Sequence, residues 1–252
     1  MGSGQGGPRM MEALRSGLVR EGKIRFAINL GNASLAMQDE ATGDLSGVSV
    51  ALARDLAARL GAEPTFVTYP GAGKVVADAE SDKWDVAFLA VDDQRRSVIA
   101  YSSAYVLIEA KVVVRANSPL RHVDELDRPG RRLLVARGSA YDLYLSKAVQ
   151  SLTLLREETP GASFAAFKAD VEAADAVAGV AQSLAKAFGK DPEFRLLDGR
   201  VAAIEQAMAL PANRAALSDN LSAFVEARKA DGFVRRALDE SGMTDLVVAP
   251  AA

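Results

Sequence analysis

The 252-residue chain contains no cysteine and a single histidine, His122. Without cysteine there are no disulfides, no thiol nucleophile and no thiolate metal site. One histidine removes paired-histidine metal motifs and leaves a Ser-His-Asp triad without support, since His122 lies in a polar stretch and reads as a surface residue. No basic block is present and the formal charge is −3, so neither nucleic acid nor an anionic membrane surface is expected as a partner. No window has the apolar length of a membrane span, and no membrane insertion is expected. Met10 to Lys23 has no apolar core of secretion-signal length, so the sequence as written is expected in the cytoplasm, or in the periplasm if a signal was removed. Residues 1–9, MGSGQGGPR, read as a Gly-rich leader outside the folded unit. Gly71 and Gly73 are not followed by Gly-Lys-Ser/Thr, so a phosphate loop is not indicated. Nothing in the chain calls for a cofactor or a metal.

What is present describes an ordinary globular chain, with 49% apolar and 25% charged residues and enough length for one large domain or two small ones. The organising stretch is Trp84 to Ser103. Val86 to Val91 is an apolar run long enough for a buried strand and too short for a buried helix, and it breaks into Asp92-Asp93-Gln94-Arg95-Arg96. In an open α/β sheet, polar residues just past a strand's carboxyl end face the ligand crevice. Arg95 is therefore a candidate carboxylate ligand, because a guanidinium grips a carboxylate with two parallel hydrogen bonds. The plainer alternative is a solvated helix start capped by Asp92 or Asp93.

In chain order, Ile24–Asn29 reads as a strand and Asp39–Asp44 as a loop or hairpin tip. A helix opens at Gly47 and carries Val48, Leu52, Leu56 and Leu60 to Gly61. Thr65–Tyr69 is a second strand, residues 70–73 turn into a short helix, and Asp85–Val91 is a third strand. This alternation implies parallel pairing with right-handed crossovers. Val106–Val114 is one long extended run. A second α/β unit follows, with a strand at Arg132–Ala136, a turn at Gly138-Ser139-Ala140 and a helix over Tyr141–Val149. Further strands are expected at Leu152–Leu155, Ala174–Val177 and Phe194–Leu197, with helices at Ser163–Ala169 and Ala181–Phe188. Val201–Leu210 is another extended run, then come helices at Arg214–Ala230 and Phe233–Glu240. Two long strands bracketing a middle α/β unit predict two lobes, a cleft and a two-strand hinge. The expected division is a leader and N-terminal segment at 1–20, lobe 1 at 21–110 and 206–246, lobe 2 at 111–205, and a tail at 247–252.

Over about residues 22–245 the chain resembles the polar amino-acid class of periplasmic-type solute-binding proteins, family 3. The matching segments, in order, are Gly43 to Gly47, Arg59-Leu60-Gly61, Trp84-Asp85-Val86, Asp92 to Arg95 through Tyr101-Ser102, Ala104-Tyr105, Gly138-Ser139 and Asp175-Ala176-Val177. The resemblance implies a type II periplasmic binding protein-like α/β fold and a monomeric, non-catalytic receptor for an ABC transporter. It also implies that Arg95 takes the ligand's carboxylate while Ser139, with the amides of Ser139 and Ala140, clamps it from the other lobe. Residues 28–32, 47–50, 106–109, 178–182 and 206–208 resemble a narrower branch whose members often lack a signal peptide. Several positions depart from the family pattern. Asp92 stands where threonine is usual, Ala90 where a small hydroxyl residue is common, Ala51 where an acid is common early in the first helix, and Ala33 where a proline is usual. No aromatic follows the first strand, and the position of the aspartate that receives an amino group is Val180. An unpaired buried ammonium costs several kcal/mol, so a standard α-amino acid is not the expected ligand.

Two functions follow. The first is a two-lobed module closing on a small carboxylate, with Arg95, Ser139 and Ala140 as ligand groups and Asn29, Asn32, Asp92, Glu109 and Gln182 as polar lining. Its partner is an ABC permease. The second is a cytoplasmic enzyme on the same fold, a dehydratase, decarboxylase or cyclase of a carboxylated metabolite, with Asp92 or Glu109 as general acid/base and a biosynthetic partner. For Glu109 the plain alternative is a hinge-strand residue paired with Lys111 or Arg115.

Overall fold

Leu14 and Leu18 lie one helical turn apart and are fully buried, seating the first helix on the core of the chain. The structure is a computed structural model and describes residues 6–252. That helix, α1 (Gly6–Leu18), is further pinned by the Arg15 guanidinium, which donates to the Leu60 carbonyl. Residues 6–9 of the expected leader thus belong to a packed helix, and residues 1–5 lie outside the described residues. The spacing of Met10, Leu14 and Leu18 carried that signal.

Strand β1 (Lys23–Asn29) is followed by the hairpin β2 (Met37–Gln38) and β3 (Leu45–Ser46), helix α2 (Val48–Arg59), β4 (Glu63–Tyr69), α3 (Ala72–Ala77) and β5 (Val86–Ala90). β1 lies between β4 and β5 and is parallel to both, with Phe26 opposite Phe66 on one side and Val86 on the other. All five residues of β5 are buried, as befits a strand covered on both faces. After a 3₁₀ turn at Asp93–Arg95, β6 (Ile99–Arg115) runs 17 residues, longer than the extended run expected from the sequence. The second unit holds β7 (Arg132–Ala136), α4 (Ala140–Ala148), β8 (Thr153–Glu157), α5 (Pro160–Ala169), β9 (Ala176–Val180), α6 (Ala181–Phe188) and β10 (Phe194–Leu196). β11 (Ala202–Pro211), α7 (Ser218–Ala230), α8 (Phe233–Glu240) and β12 (Val247–Val248) complete the chain.

Apart from the separate β2-β3 pair, the strands form one continuous sheet in the order β4-β1-β5-β11-β6-β9-β7-β8, with β10 and β12 also on β6. β6 and β11 are antiparallel and join the two lobes: Gln206 faces Val106 and Ala202 faces Ala110, while further along β11 Met208 faces Phe88 of β5. Beyond Ala110, β6 pairs with β9 instead, which commits its second half to the other lobe. The expected tail is no free end, because Val247 and Val248 pair with Leu107 and Val106.

Each lobe has its own core. In lobe 1, Phe26, Phe88 and Tyr105 pack beneath α1, α2, α7 and α8. On the opposite face, Trp84 covers α3, its indole N–H donating to the Val75 carbonyl at 3.3 Å. Lobe 2 is centred on Phe164, Phe167, Phe188 and Phe194, whose rings meet mostly edge to face. Each such side chain, fully buried, contributes about 1.5–3 kcal/mol. The helix expected from Arg214 begins instead at Ser218, after a 3₁₀ segment. Arg214 has φ −112° and ψ 17°, outside helical values, and reaches Asp85 at 2.7 Å.

Candidate functional site

The carboxyl ends of β1, β5, β7 and β9 and the middle of β11 converge on a cavity of about 40 Å³. This is the crevice that open α/β sheets offer to ligands. Asn29, Asn32 and Ala72 line it from lobe 1, and Ser139, Ala140, Tyr141 and Val180 from lobe 2, while Ile204 and Gln206 come from the strand between them. Gln206 lies opposite both Ala90 and Val106, beside a register shift in β11, so the irregularity of the hinge strand places its side chain there.

Several of these groups are already organised. The Asn29 side-chain oxygen accepts from the Gly31 amide at 3.0 Å, and that of Asn32 from the Ser34 amide at 3.3 Å. Ser139 caps α4, its hydroxyl accepting from the Asp142 amide at 3.1 Å. The amides of Ala140 and Tyr141, first in the helix, take no acceptor from elsewhere among the described residues. Burial pushes the Tyr141 hydroxyl's pKa up. The hydroxyl stands near Ser139 and the Ala136 carbonyl yet makes no well-formed hydrogen bond.

Arg95 is 3% exposed. Its Nη1 donates to the Ala90 carbonyl at 3.0 Å and its Nη2 to the Gly138 carbonyl at 2.6 Å. Both acceptors are uncharged, and among the described residues no carboxylate pairs with this guanidinium. Arg95 therefore meets the Gly138-Ser139-Ala140 turn across the cleft. It stands behind Ala90 and that turn, not among the residues facing the cavity. Beside it the Tyr101 hydroxyl is buried; burial pushes its pKa up, and the positive charge of Arg95 opposes the shift.

The lobes touch directly at several other points. The Ser183 hydroxyl accepts from the Ala33 amide at 3.2 Å, and the Ser34 hydroxyl donates to the Gln182 side-chain oxygen at 2.9 Å. Lys74 pairs with Glu158 at 3.2 Å. Two glycines permit the main chains to meet: a Cβ on Gly73 would come within 2.8 Å of the Arg137 carbonyl, and Gly138 has φ +68°.

Of the candidate residues, Asn29, Asn32, Ser139 and Ala140 come together at the cavity, with Arg95 directly behind. The other three do not join them. Asp92 is an N-cap, accepting from the Gln94 amide at 2.8 Å. Glu109 bridges Arg200 at 3.0 Å and Lys111 at 3.5 Å, and Arg200 holds its carboxyl below the ordinary glutamate range. It lines, with Gln182, a separate pocket of about 360 Å³ beside the hinge. The reason is alternation along β6: side chains of successive residues face opposite sides of a strand. Tyr141, Gln206, Arg137 and Glu158 line the cavity without having been expected there. For Tyr141 the signal was its place directly after the Gly138-Ser139-Ala140 turn, whereas Gln206 depended on the path of β11.

Two lobes joined by paired strands, with a cavity at their facing carboxyl ends, define a bilobal small-molecule-binding fold. The chain belongs to the family described as bacterial extracellular solute-binding proteins, family 3, whose pattern it matches over residues 24–241. Among solved structures, a solute receptor for L-cysteine of Neisseria gonorrhoeae is 24% identical, with a TM-score of 0.77 and coverage of 92% of each chain. A mutant of ArgBP from T. maritima is 20% identical, with a TM-score of 0.76 and coverage of 92% of this chain and 99% of that one. An amino acid ABC transporter substrate-binding protein from Streptococcus pneumoniae, bound to L-arginine, is 20% identical, with a TM-score of 0.75 and coverage of 91% and 97%. A search of curated protein sequences returns no match.

Proposed function

We propose that the chain closes its two lobes on a small carboxylate-bearing solute and serves as the solute-binding component of an ABC-type importer. The observation that carries this reading is Arg95: a buried guanidinium from one lobe, with no carboxylate of the protein to neutralise it, set against the first turn of α4 in the other. Burying an unpaired charge is costly, and a guanidinium presents its donors in a fork suited to a carboxylate. Free amides at the start of α4 add a second donor set for an anion. On this reading the ligand's carboxylate takes the place of the Gly138 carbonyl on Arg95. That L-cysteine and L-arginine, named for two of the similar structures, both carry a carboxylate supports it.

The same proposal gives the chain an ABC permease as partner and a location outside the cytoplasmic membrane, where an importer's receptor meets it; fractionation of native cells tests the location. The enzyme reading has no comparable support, since Glu109 and Asp92 stand off the cavity and Glu109 is held ionised by Arg200. Isothermal calorimetry across keto, hydroxy, simple and amino acids is the direct test. Binding of at least one carboxylate, lost in Arg95→Ala, is expected; absence of binding by every compound overturns the proposal.

A further inference from the structure

We infer that the solute held between the lobes is a carboxylate with no ammonium group, and that the Tyr141 hydroxyl is one of its donors; this rests on the binding reading above. Closure is the first constraint. The lobes already touch through Arg95 and Gly138, Ser34 and Gln182, and Ser183 and Ala33, leaving a cavity of about 40 Å³. A carboxylate that takes the place of the Gly138 carbonyl on Arg95 parts this contact and is held by groups of both lobes.

Charge is the second constraint. Among the described residues the only acid lining the cavity is Glu158, which pairs with Lys74 and Arg137; their hydrogen bonds hold its carboxyl below the usual range. Val180, Ile204 and Pro160 supply apolar wall. An ammonium placed here has no carboxylate to meet and loses its hydration, which is strongly unfavourable. An anion, by contrast, finds the Ala140 and Tyr141 amides, with Arg95 behind them.

Tyr141 is the third observation. It is 3% exposed and lines the cavity, and its hydroxyl, near the Ser139 side chain and the Ala136 carbonyl, makes no well-formed hydrogen bond among the described residues. Buried hydroxyls are normally satisfied. A ligand oxygen at the start of α4 satisfies this one together with the two amides.

Calorimetry on the full chain with acetate, pyruvate and lactate against glycine, alanine, cysteine and arginine tests the inference. Pyruvate or lactate is expected to bind at least tenfold more tightly than alanine, which differs from them in the group on the second carbon. Tyr141→Phe is expected to weaken that binding about tenfold while leaving the melting temperature of the ligand-free protein unchanged or higher, because the lost hydroxyl makes no well-formed hydrogen bond. Tighter binding of any amino acid than of the keto and hydroxy acids, still abolished by Arg95→Ala, overturns the inference and leaves the binding reading standing. Unchanged affinity in Tyr141→Phe overturns the role of that hydroxyl. Failure of every carboxylate to bind removes both the inference and the reading beneath it.

Discussion

The Arg95 guanidinium and the Gly138 carbonyl, 43 residues apart in sequence and on opposite lobes, are joined by a hydrogen bond of 2.6 Å. The main chain of lobe 2 thereby provides lobe 1's buried cation with an acceptor. A solute carboxylate competes for the same nitrogen with a full negative charge, and a hydrogen bond between two charged groups is roughly twice as strong as a neutral one.

Removing this cation is expected to act on both binding and stability. Arg95→Ala deletes two main-chain hydrogen bonds, a buried one to Ala90 and a partly buried one to Gly138. A loss of about 1–3 kcal/mol in urea-denaturation stability is expected, together with loss of carboxylate binding by calorimetry.

Gly73→Ala is expected to separate lobe closure from lobe folding. Gly73 lies in α3, where alanine is the better helix former by about 1 kcal/mol, yet the added Cβ would sit 2.8 Å from the Arg137 carbonyl across the cleft. Small-angle scattering of the ligand-free variant should show a larger radius of gyration than wild type, and ligand affinity should fall, with no loss of melting temperature. An unchanged radius argues that the main chains do not meet there in solution.

Lys74→Ala is expected to change almost nothing. The Lys74–Glu158 pair also spans the cleft, but its side chains are 51% and 59% exposed. Exposed pairs contribute about 0–1 kcal/mol, so calorimetry and scattering should both stay close to wild type.

Asp85 is expected to be the most sensitive charge in lobe 1. Its side chain is 1% exposed and bonds Arg25 and Arg214 at 2.9 and 2.7 Å. Asp85→Asn is expected to cost about 3–5 kcal/mol by urea titration, because it leaves two arginines without their buried partner. Burial pushes the Asp85 carboxyl's pKa up, but the hydrogen bonds from Arg25 and Arg214 outweigh that and the net shift is downward. A carboxyl whose folded pKa lies below its unfolded value near 3.9 stabilises the protein above that value. The contribution disappears as pH falls through the folded pKa, so wild type should lose stability steeply below about pH 4 and Asp85→Asn much less so.

Trp84-Asp85-Val86 shows how far local sequence reaches. Its place before an apolar run located β5 and the start of the central motif, and the alternation of strands and helices located both lobes and the two connecting strands. Gly138-Ser139-Ala140 announced a turn opening a helix, and Arg95 a cation just past a strand. These are matters of period, turn chemistry and order along the chain, and each is settled within a dozen residues. That Asp85 would gather Arg25 and Arg214 was not legible, because those partners lie 60 and 129 residues away along the chain.

The sequence by itself determined the α/β alternation, the hinge strands and the candidate groups Arg95, Ser139, Asn29 and Asn32. Only the tertiary structure decided which of them share a cavity. Glu109 and Gln182 fell beside the hinge because strand alternation and the lobe contacts turned them there, whereas Gln206 and Tyr141 reached the cavity through an irregularity in β11 and the direction of α4. Side-chain direction at a strand crossing depends on pairing with distant strands, and that pairing exists only once both lobes have folded.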